Sequence, residues 1–447
     1  MKHGDYLTLL TRMGLFLLLL PAGLSFALAE EIHVGSWDEA WKLAQARNLR
    51  LRESEQRVEE ARQALLRTRS LFLPRAQVSS GFTQKGFSFS IPAAFFQNLP
   101  KDPGLFTGYK SEWSMRLQVE QPLFTGGRNW NSYQLSQNDL ALQERSYELR
   151  RMNLEVEVTR GYYSTLLAQH IWRIKQELIE QSKRHQREVE KRLSAGDASR
   201  FEKLRADVQL ANLYPELIRS RNAIEIAMAQ FKNVLGALPE DTLTVTGSME
   251  CVPQKPNLPE SLRTAPERRP ELKISQLLKD SAERSRKLNR AGFFPLIGAF
   301  YSQDFRSNSL DTLYDQRHRN WMVGLSLNLA LFEGGRSYYQ AKEDRFRLEQ
   351  ARLREEQTRR DIQVEVLQAA LEVERTIEVI ASQKQTVAQA EEALRIAEVS
   401  YANGVITHLE LMDTQLALDQ AKINFITAQY DYLIGTALFR KAVAEHQ

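Results

Sequence analysis

The clearest alternation in the chain lies at 111–124. Trp113, Met115, Leu117 and Val119 point one way, and Ser114, Arg116, Gln118 and Glu120 point the other. A period of two predicts a strand with one apolar face. The pattern returns at 320–332, where Trp321, Val323, Leu325, Leu327 and Leu329 alternate with Met322, Gly324, Ser326, Asn328 and Ala330. Two weaker alternations predict strands at about 76–86 and about 295–303. Strands of about ten residues with Trp near an end suit a transmembrane barrel. They also suit a soluble sheet with one face on a core, and alternation alone leaves both open.

Both strong strands close on one signature. Leu123-Phe124-Thr125-Gly126-Gly127-Arg128 is repeated 208 positions later as Leu331-Phe332-Glu333-Gly334-Gly335-Arg336. The glycine pairs give the backbone freedom an extended chain needs to turn at once into a helix. A phosphate cradle would need Gly-x-x-x-x-Gly-Lys spacing, which is absent.

Each signature opens a polar, Ala/Leu/Glu/Arg-rich stretch predicted as one helix, from about 129 to 193 and from about 337 to 401. At 1.5 Å per residue such a helix reaches about 97 Å, longer than any globular core requires. Val366, Val373, Ile380, Val387 and Leu394 recur every seven residues, with Ala370, Ile377 and Ala390 between them. That is a coiled-coil seam.

Each long helix ends at a second repeated landmark, again 208 residues apart: Ala195-Gly196-Asp197-Ala198-Ser199 and Asn403-Gly404-Val405-Ile406-Thr407. Return helices are predicted over about 199–235, where Pro215 should kink or interrupt the helix, and about 407–438. Upstream the offset is 221 (Pro74 with Pro295, Leu49 with Pro270), so the first copy carries 13 extra residues between Pro74 and Phe124, placed near 87–109. The plan is an internal two-fold repeat, about 36–236 and about 267–447. A Pro-rich linker at 236–266 joins the copies, irregular apart from a short strand candidate at Leu243 to Val245. Ser36-Trp37-Asp38-Glu39 reads as a capping box that starts one helix reaching about Leu71.

Composition narrows the function. A net charge of +4 with no basic block excludes nucleic acid as a partner, and the lone Cys251 excludes an intrachain disulfide. The seven histidines are scattered, with no metalloprotease motif or nucleophile elbow. The chain is therefore read as no enzyme, with no cofactor and no metal. His408 near Glu410 and Asp413 is read as a surface histidine rather than a ligand. Residues 1–29 read as a signal peptide: Lys2 and Arg12, an apolar run from Gly14 to Leu20, and Ala27-Leu28-Ala29 before Glu30. Residue 30 is not Cys, so no lipid attachment is expected there. Four strands cannot close a membrane barrel, and an open edge in lipid is costly. If these strands span, several chains share one barrel, and a trimer gives twelve strands.

Taken together, the signal peptide, the doubled Leu-Phe-x-Gly-Gly-Arg, the doubled glycine turns and the string Tyr401, Gly404, Thr407, Glu410, Asp413 resemble the outer-membrane efflux protein family, the TolC-like channels. The resemblance covers essentially all of the mature chain. It implies an α+β membrane protein: a homotrimer with a twelve-stranded outer-membrane β-barrel, four strands per chain, continued by a periplasmic α-helical coiled-coil barrel. It implies a passive exit duct of a tripartite efflux or type I secretion system. The partners would be outer-membrane lipid, a periplasmic adaptor protein, and an inner-membrane pump of RND, ABC or MFS type. It implies adaptor-docking tips at Gly196, Ser199, Gly404, Val405 and Thr407, the first tip departing from the apolar pattern at Asp197 and Ala198. It also implies an acidic ring at the periplasmic entrance from Glu410 and Asp413, two carboxylates on one helix face. The alternatives are a periplasmic adaptor (membrane fusion) protein, which would carry one hairpin between β-rich halves, and a coiled-coil scaffold.

Overall fold

A computed structural model describes residues 30–84 and 111–445. The signal peptide expected at 1–29 and the extra residues placed near 87–109 lie outside the described residues.

The elements run β1 (Glu31–Val34), α1 (Trp37–Arg47), α2 (Leu49–Arg69), β2 (Arg75–Gln84), β3 (Ser111–Phe124), α3 (Arg128–Ala195), α4 (Arg200–Leu235), β4 (Thr242–Val245), α5 (Leu258–Arg268), α6 (Pro270–Arg290), β5 (Leu296–Ser307), β6 (Arg319–Asn328), α7 (Arg336–Ala402) and α8 (His408–Val443). Helices dominate. α3 has 68 residues and α7 has 67, so each is about 100 Å long. α3 packs on α4 and α7 on α8 as two hairpins, with α3 also against α8.

β2, β3, β5 and β6 form one antiparallel sheet in that order. The register gathers most of the apolar side chains on one face, with Gln303 and Ser307 among them, and most of the polar ones on the other, with Phe300 among them. Val78 lies opposite Leu117, Phe82 opposite Trp113, Tyr301 opposite Val323, and Ala299 opposite Leu325. On the other face Arg116 Nε donates to Asp304 Oδ1 (2.5 Å), and Gln118 donates to Glu120. Trp321, Val323, Leu325 and Leu327 are 61–73% exposed, so most of the apolar face is open, with Tyr314 packed near Met115 and Phe305 at one end. β5 runs four residues beyond the expected end at 303, because Asp304 and Arg306 belong to this polar face, Arg306 reaching Glu112 at 4.0 Å. β6 stops at Asn328 rather than 332.

Three other expectations need correction. The helix from Ser36 to Leu71 is broken at Asn48 (ψ 117°), which ends α1 and caps α2 by accepting from the Leu51 N–H. Its Nδ2 also donates to the Val234 carbonyl (2.7 Å), a half-buried bond that a continuous helix would forfeit. The linker is not all irregular. α5 occupies 258–268, with Pro259 in its first turn where no N–H is needed. Finally, of the kink or interruption expected at Pro215, the interruption does not occur: α4 is continuous through it.

The buried core lies where the helix pairs meet the short β1–β4 parallel pair. There Val34, Leu154, Val158, Leu166, Phe231 and Leu235 are all but inaccessible. β1 follows the expected cleavage site and carries only four residues, too few for an alternation to stand out. Smaller clusters around Val366 with Ala442, and around Val373 with Tyr432, line the second hairpin. Of the heptad residues, Val366, Val373 and Ile380 are buried, while Val387 and Leu394 are half-buried.

Candidate functional site: the hairpin tips and the strand-to-helix turns

At the strand-to-helix junctions all four glycines are left-handed: Gly126 (φ 61°), Gly127 (φ 84°), Gly334 (φ 62°) and Gly335 (φ 81°). Arg128 N–H bonds Thr125 O and Arg336 N–H bonds Glu333 O, which closes the same tight turn twice. The surroundings differ. A methyl group on Gly126 would sit 2.7 Å from Phe294 Cβ and 3.0 Å from the Ala291 carbonyl, whereas one on Gly334 would meet nothing within 4 Å. Gly334→Ala should therefore cost about 1 kcal/mol, the left-handed penalty alone, and Gly126→Ala about 2 kcal/mol. Thermal unfolding of the two variants side by side checks this; equal losses would mean that the contact with Phe294 is slack.

The two tips are built alike. Gly196 (φ 87°) ends α3, and the Asp197 N–H reaches back to Arg192 O (2.8 Å). Gly404 (φ 72°) follows α7, and the Val405 N–H reaches back to Ser400 O (2.9 Å). Each glycine is followed by a capping box. Ser199 Oγ accepts from the Glu202 N–H, and Glu202 Oε2 accepts from the Ser199 N–H (2.9 Å). In the second tip Glu410 Oε2 accepts from both the Thr407 N–H (2.7 Å) and the Thr407 hydroxyl (2.9 Å). These bonds hold the Glu410 carboxyl below the usual carboxylate range. Both boxes are legible as Ser/Thr-x-x-Glu, a signal that the acidic-ring reading passed over. Glu410 is thus a helix cap as well as an acidic group. Asp413, one turn on, is exposed, and Val405 is 76% exposed.

Sequence reasoning missed a cluster just behind the tips. His185 of α3 and His408 of α8 stack face to face, ring centroids 3.4 Å apart and planes 9° apart. The Tyr401 ring of α7 packs against both. Arg192 Nη1 donates to the Tyr401 hydroxyl (3.2 Å), tying the end of α3 to the end of α7. His408 is half-buried rather than a surface residue, because the long α3 brings His185 over it. One hairpin turn further in, Gln181 Nε2 donates to Gln415 Oε1 (2.7 Å) across the same seam. Parallel stacked rings direct their lone pairs alongside one another, not toward one point. Among the described residues no three His, Cys, Asp or Glu side chains are placed to hold a metal ion.

The sheet and the tips lie at opposite ends of the long helices, and the polar sheet face continues into the strand–helix junction. A cavity of about 1090 Å³ sits there, lined by Arg75, Gln118, Glu120, Arg128 and Asn129 among others. Among the described residues no helix is long and apolar enough to cross a membrane.

Comparison with known proteins gives consistent matches. The sequence profile of outer membrane efflux proteins matches residues 40–237 and 262–444. The alkaline protease secretion protein AprF of Pseudomonas aeruginosa is 25% identical over 72% of this chain and 68% of its own length. The outer membrane protein TolC of Escherichia coli is 23% identical over 74% of this chain and 69% of its own. Among solved structures, the CmeC outer membrane channel of Campylobacter jejuni superposes with a TM-score of 0.77 at 17% identity, covering 92% of this chain and 85% of that one. The open-state MtrE outer membrane channel of Neisseria gonorrhoeae gives 0.75 at 18% identity, covering 91% and 88%. Both structures share its fold.

Proposed function

Because the chain belongs to the outer membrane efflux protein family, we propose that three copies join their four-stranded sheets into one twelve-stranded barrel, which the helical hairpins continue through the periplasm. The chain is an outer-membrane exit duct, a transport protein of a family that is not enzymatic. The observation that carries the trimer is the sheet itself. Its exposed apolar face asks for lipid, and among the described residues β2 and β6 each have a free edge. Unpaired backbone groups in hydrocarbon cost several kcal/mol each, so the edges must meet copies of each other. Neither a periplasmic adaptor nor a coiled-coil scaffold needs such a sheet.

The partners follow from that assembly. The tips around Gly196, Ser199, Gly404, Val405 and Thr407 would dock a periplasmic adaptor, with exposed Val405 supplying the apolar contact. An inner-membrane pump would provide the energy and choose the cargo. The signal peptide would bring the chain across the inner membrane.

Purified protein in a planar bilayer should open in discrete conductance steps; a protein that leaves the bilayer silent would overturn the duct. The same recording tests the entrance. Glu410→Ala with Asp413→Ala should weaken cation selectivity and block by multivalent cations, since rings of carboxylates favour cations. Unchanged selectivity would leave Glu410 as a cap and nothing more.

A further inference from the structure

We propose that the α3–α8 seam is a proton-operated latch, in which protonation of the stacked His185–His408 pair parts the two hairpins at the tip. The inference deepens the duct reading, since it rests on the tip being the periplasmic mouth.

The stack joins one hairpin to the other: His185 belongs to the first and His408 to the second. His185 Nε2 and both nitrogens of His408 are buried and find no hydrogen-bond partner among the described residues. Neutral rings pack well in such a place. A proton on His408 brings a charge to a ring whose nitrogens have no acceptor among the described residues, and two protons put like charges on rings with centroids 3.4 Å apart. The charged neighbours are mixed. From α3, Arg192 opposes a proton on His185 and Glu188 favours it; from α4, Arg205 opposes one on His408; α7 contributes the Tyr401 ring. Burial, then His185, then Arg205 push the His408 imidazole down to about 4, and burial lowers His185 in the same direction.

The sign follows. A freed histidine binds its proton near pH 6.5, while the stacked His408 waits until about 4. Between those values the parted state holds a proton that the latched state lacks. The latch is therefore whole above about pH 6.5, and His408 by itself would take on the order of 10²-fold from the closing equilibrium as pH falls toward 4.

Asp419, three turns along α8, works against this. It is buried, its Oδ2 has no hydrogen-bond partner among the described residues, and burial pushes its carboxyl up to about 6 against Lys422, Gln415 and Lys175, with Glu177 adding to the rise. Acid neutralises it and tightens the seam between about pH 6 and its ordinary value near 4. Asp419 lies three turns from His408, away from the tip, and offsets part of the histidines' response along the seam.

The test is pulsed electron paramagnetic resonance on the full-length protein in detergent. Nitroxides are placed at exposed Ser194 and Asn403 in a Cys251→Ser background. The separation of the tips should lengthen between about pH 7.5 and about pH 4.5, with a midpoint inside the window of the shifted histidines. His185→Phe with His408→Phe keeps a ring stack without proton sites and should abolish the change. Asp419→Asn should enlarge it. Unchanged separation in the parent protein, or the same lengthening in the Phe pair, would overturn the latch. The labels report whether or not the protein conducts, so a silent bilayer with a proton-dependent separation would overturn the duct and leave the latch standing.

Discussion

Arg269→Ala should destabilise the second half of the molecule by about 3 kcal/mol and free the last turn of α8. The guanidinium is 3% exposed and uses its whole fork. Nε and Nη2 donate to Glu271 (2.8 and 2.5 Å), Nη2 also to Glu365 (2.7 Å), and Nη1 to the carbonyls of Lys441 and Ala442 (3.2 Å each). Those carbonyls end α8: Lys441 O also takes the Ala444 N–H (3.1 Å), while Ala442 O relies on the guanidinium. Burial alone would push the guanidinium's pKa down, but hydrogen bonds and charge from Glu271 and Glu365 outweigh it and hold it above its usual value. Alanine leaves two carboxylates without their shared cation and the Ala442 carbonyl without its donor. The low end of the range for a broken buried pair applies because Glu365 is 42% exposed and can turn to water. Arg269→Lys should recover only part, since an ammonium cannot fork between carboxylates and carbonyls. Urea unfolding, with protease sensitivity after Phe439 as the local readout, checks both; a loss under about 1 kcal/mol would mean that water replaces the network readily.

The first half meets the same need without charge. Asn48, 221 residues earlier, sits at the break between α1 and α2 and bonds the Val234 carbonyl near the end of α4. This shows where the sequence could and could not be read. Leu49 matches Pro270 in the repeat, yet the stretch before Pro74 read as one helix, because an asparagine amid helix formers announces nothing until its carbonyl partner is known.

The long helices and the strands were legible for a different reason. Their signals are local periodicities repeated many times, so packing had little left to decide. The tips were half legible. The glycines marked the turns, and Ser199-x-x-Glu202 and Thr407-x-x-Glu410 marked the caps for a reader looking for them. The histidine stack was not legible at all. His185 and His408 are 223 positions apart and meet only because α3 lies against α8. No spacing rule within one helix could have paired them. Two residues in lone, unremarkable settings became a cluster through tertiary packing alone.

The waist of the first hairpin should be the least forgiving place in the molecule, and its test is a size exchange. Phe231 of α4 is fully buried and presses on Gly161 of α3: a methyl group there would fall 2.5 Å from Phe231 Cδ2. The ring also meets Tyr162 edge-on at 6.3 Å. Phe231→Ala should cost about 4 kcal/mol, the loss of a buried ring plus the cavity it leaves. Gly161→Leu alone should be comparably damaging, because α3 and α4 must separate to admit it and the surrounding core cannot follow. Combined, the two changes put new side-chain volume where the ring was removed. The double variant should therefore be more stable than the sum of the single losses by more than about 1 kcal/mol, the coupling expected of residues in direct contact. In the second half the matching positions, 208 residues on, are Ala369 and Phe439, both packed on the smaller cluster around Val366. A methyl group is already accommodated there, so Ala369→Gly should have a small effect. Unfolding of the four variants decides the matter: strict additivity of Gly161→Leu and Phe231→Ala would mean that the hairpin yields elsewhere, and that the glycine is not what lets these two helices approach.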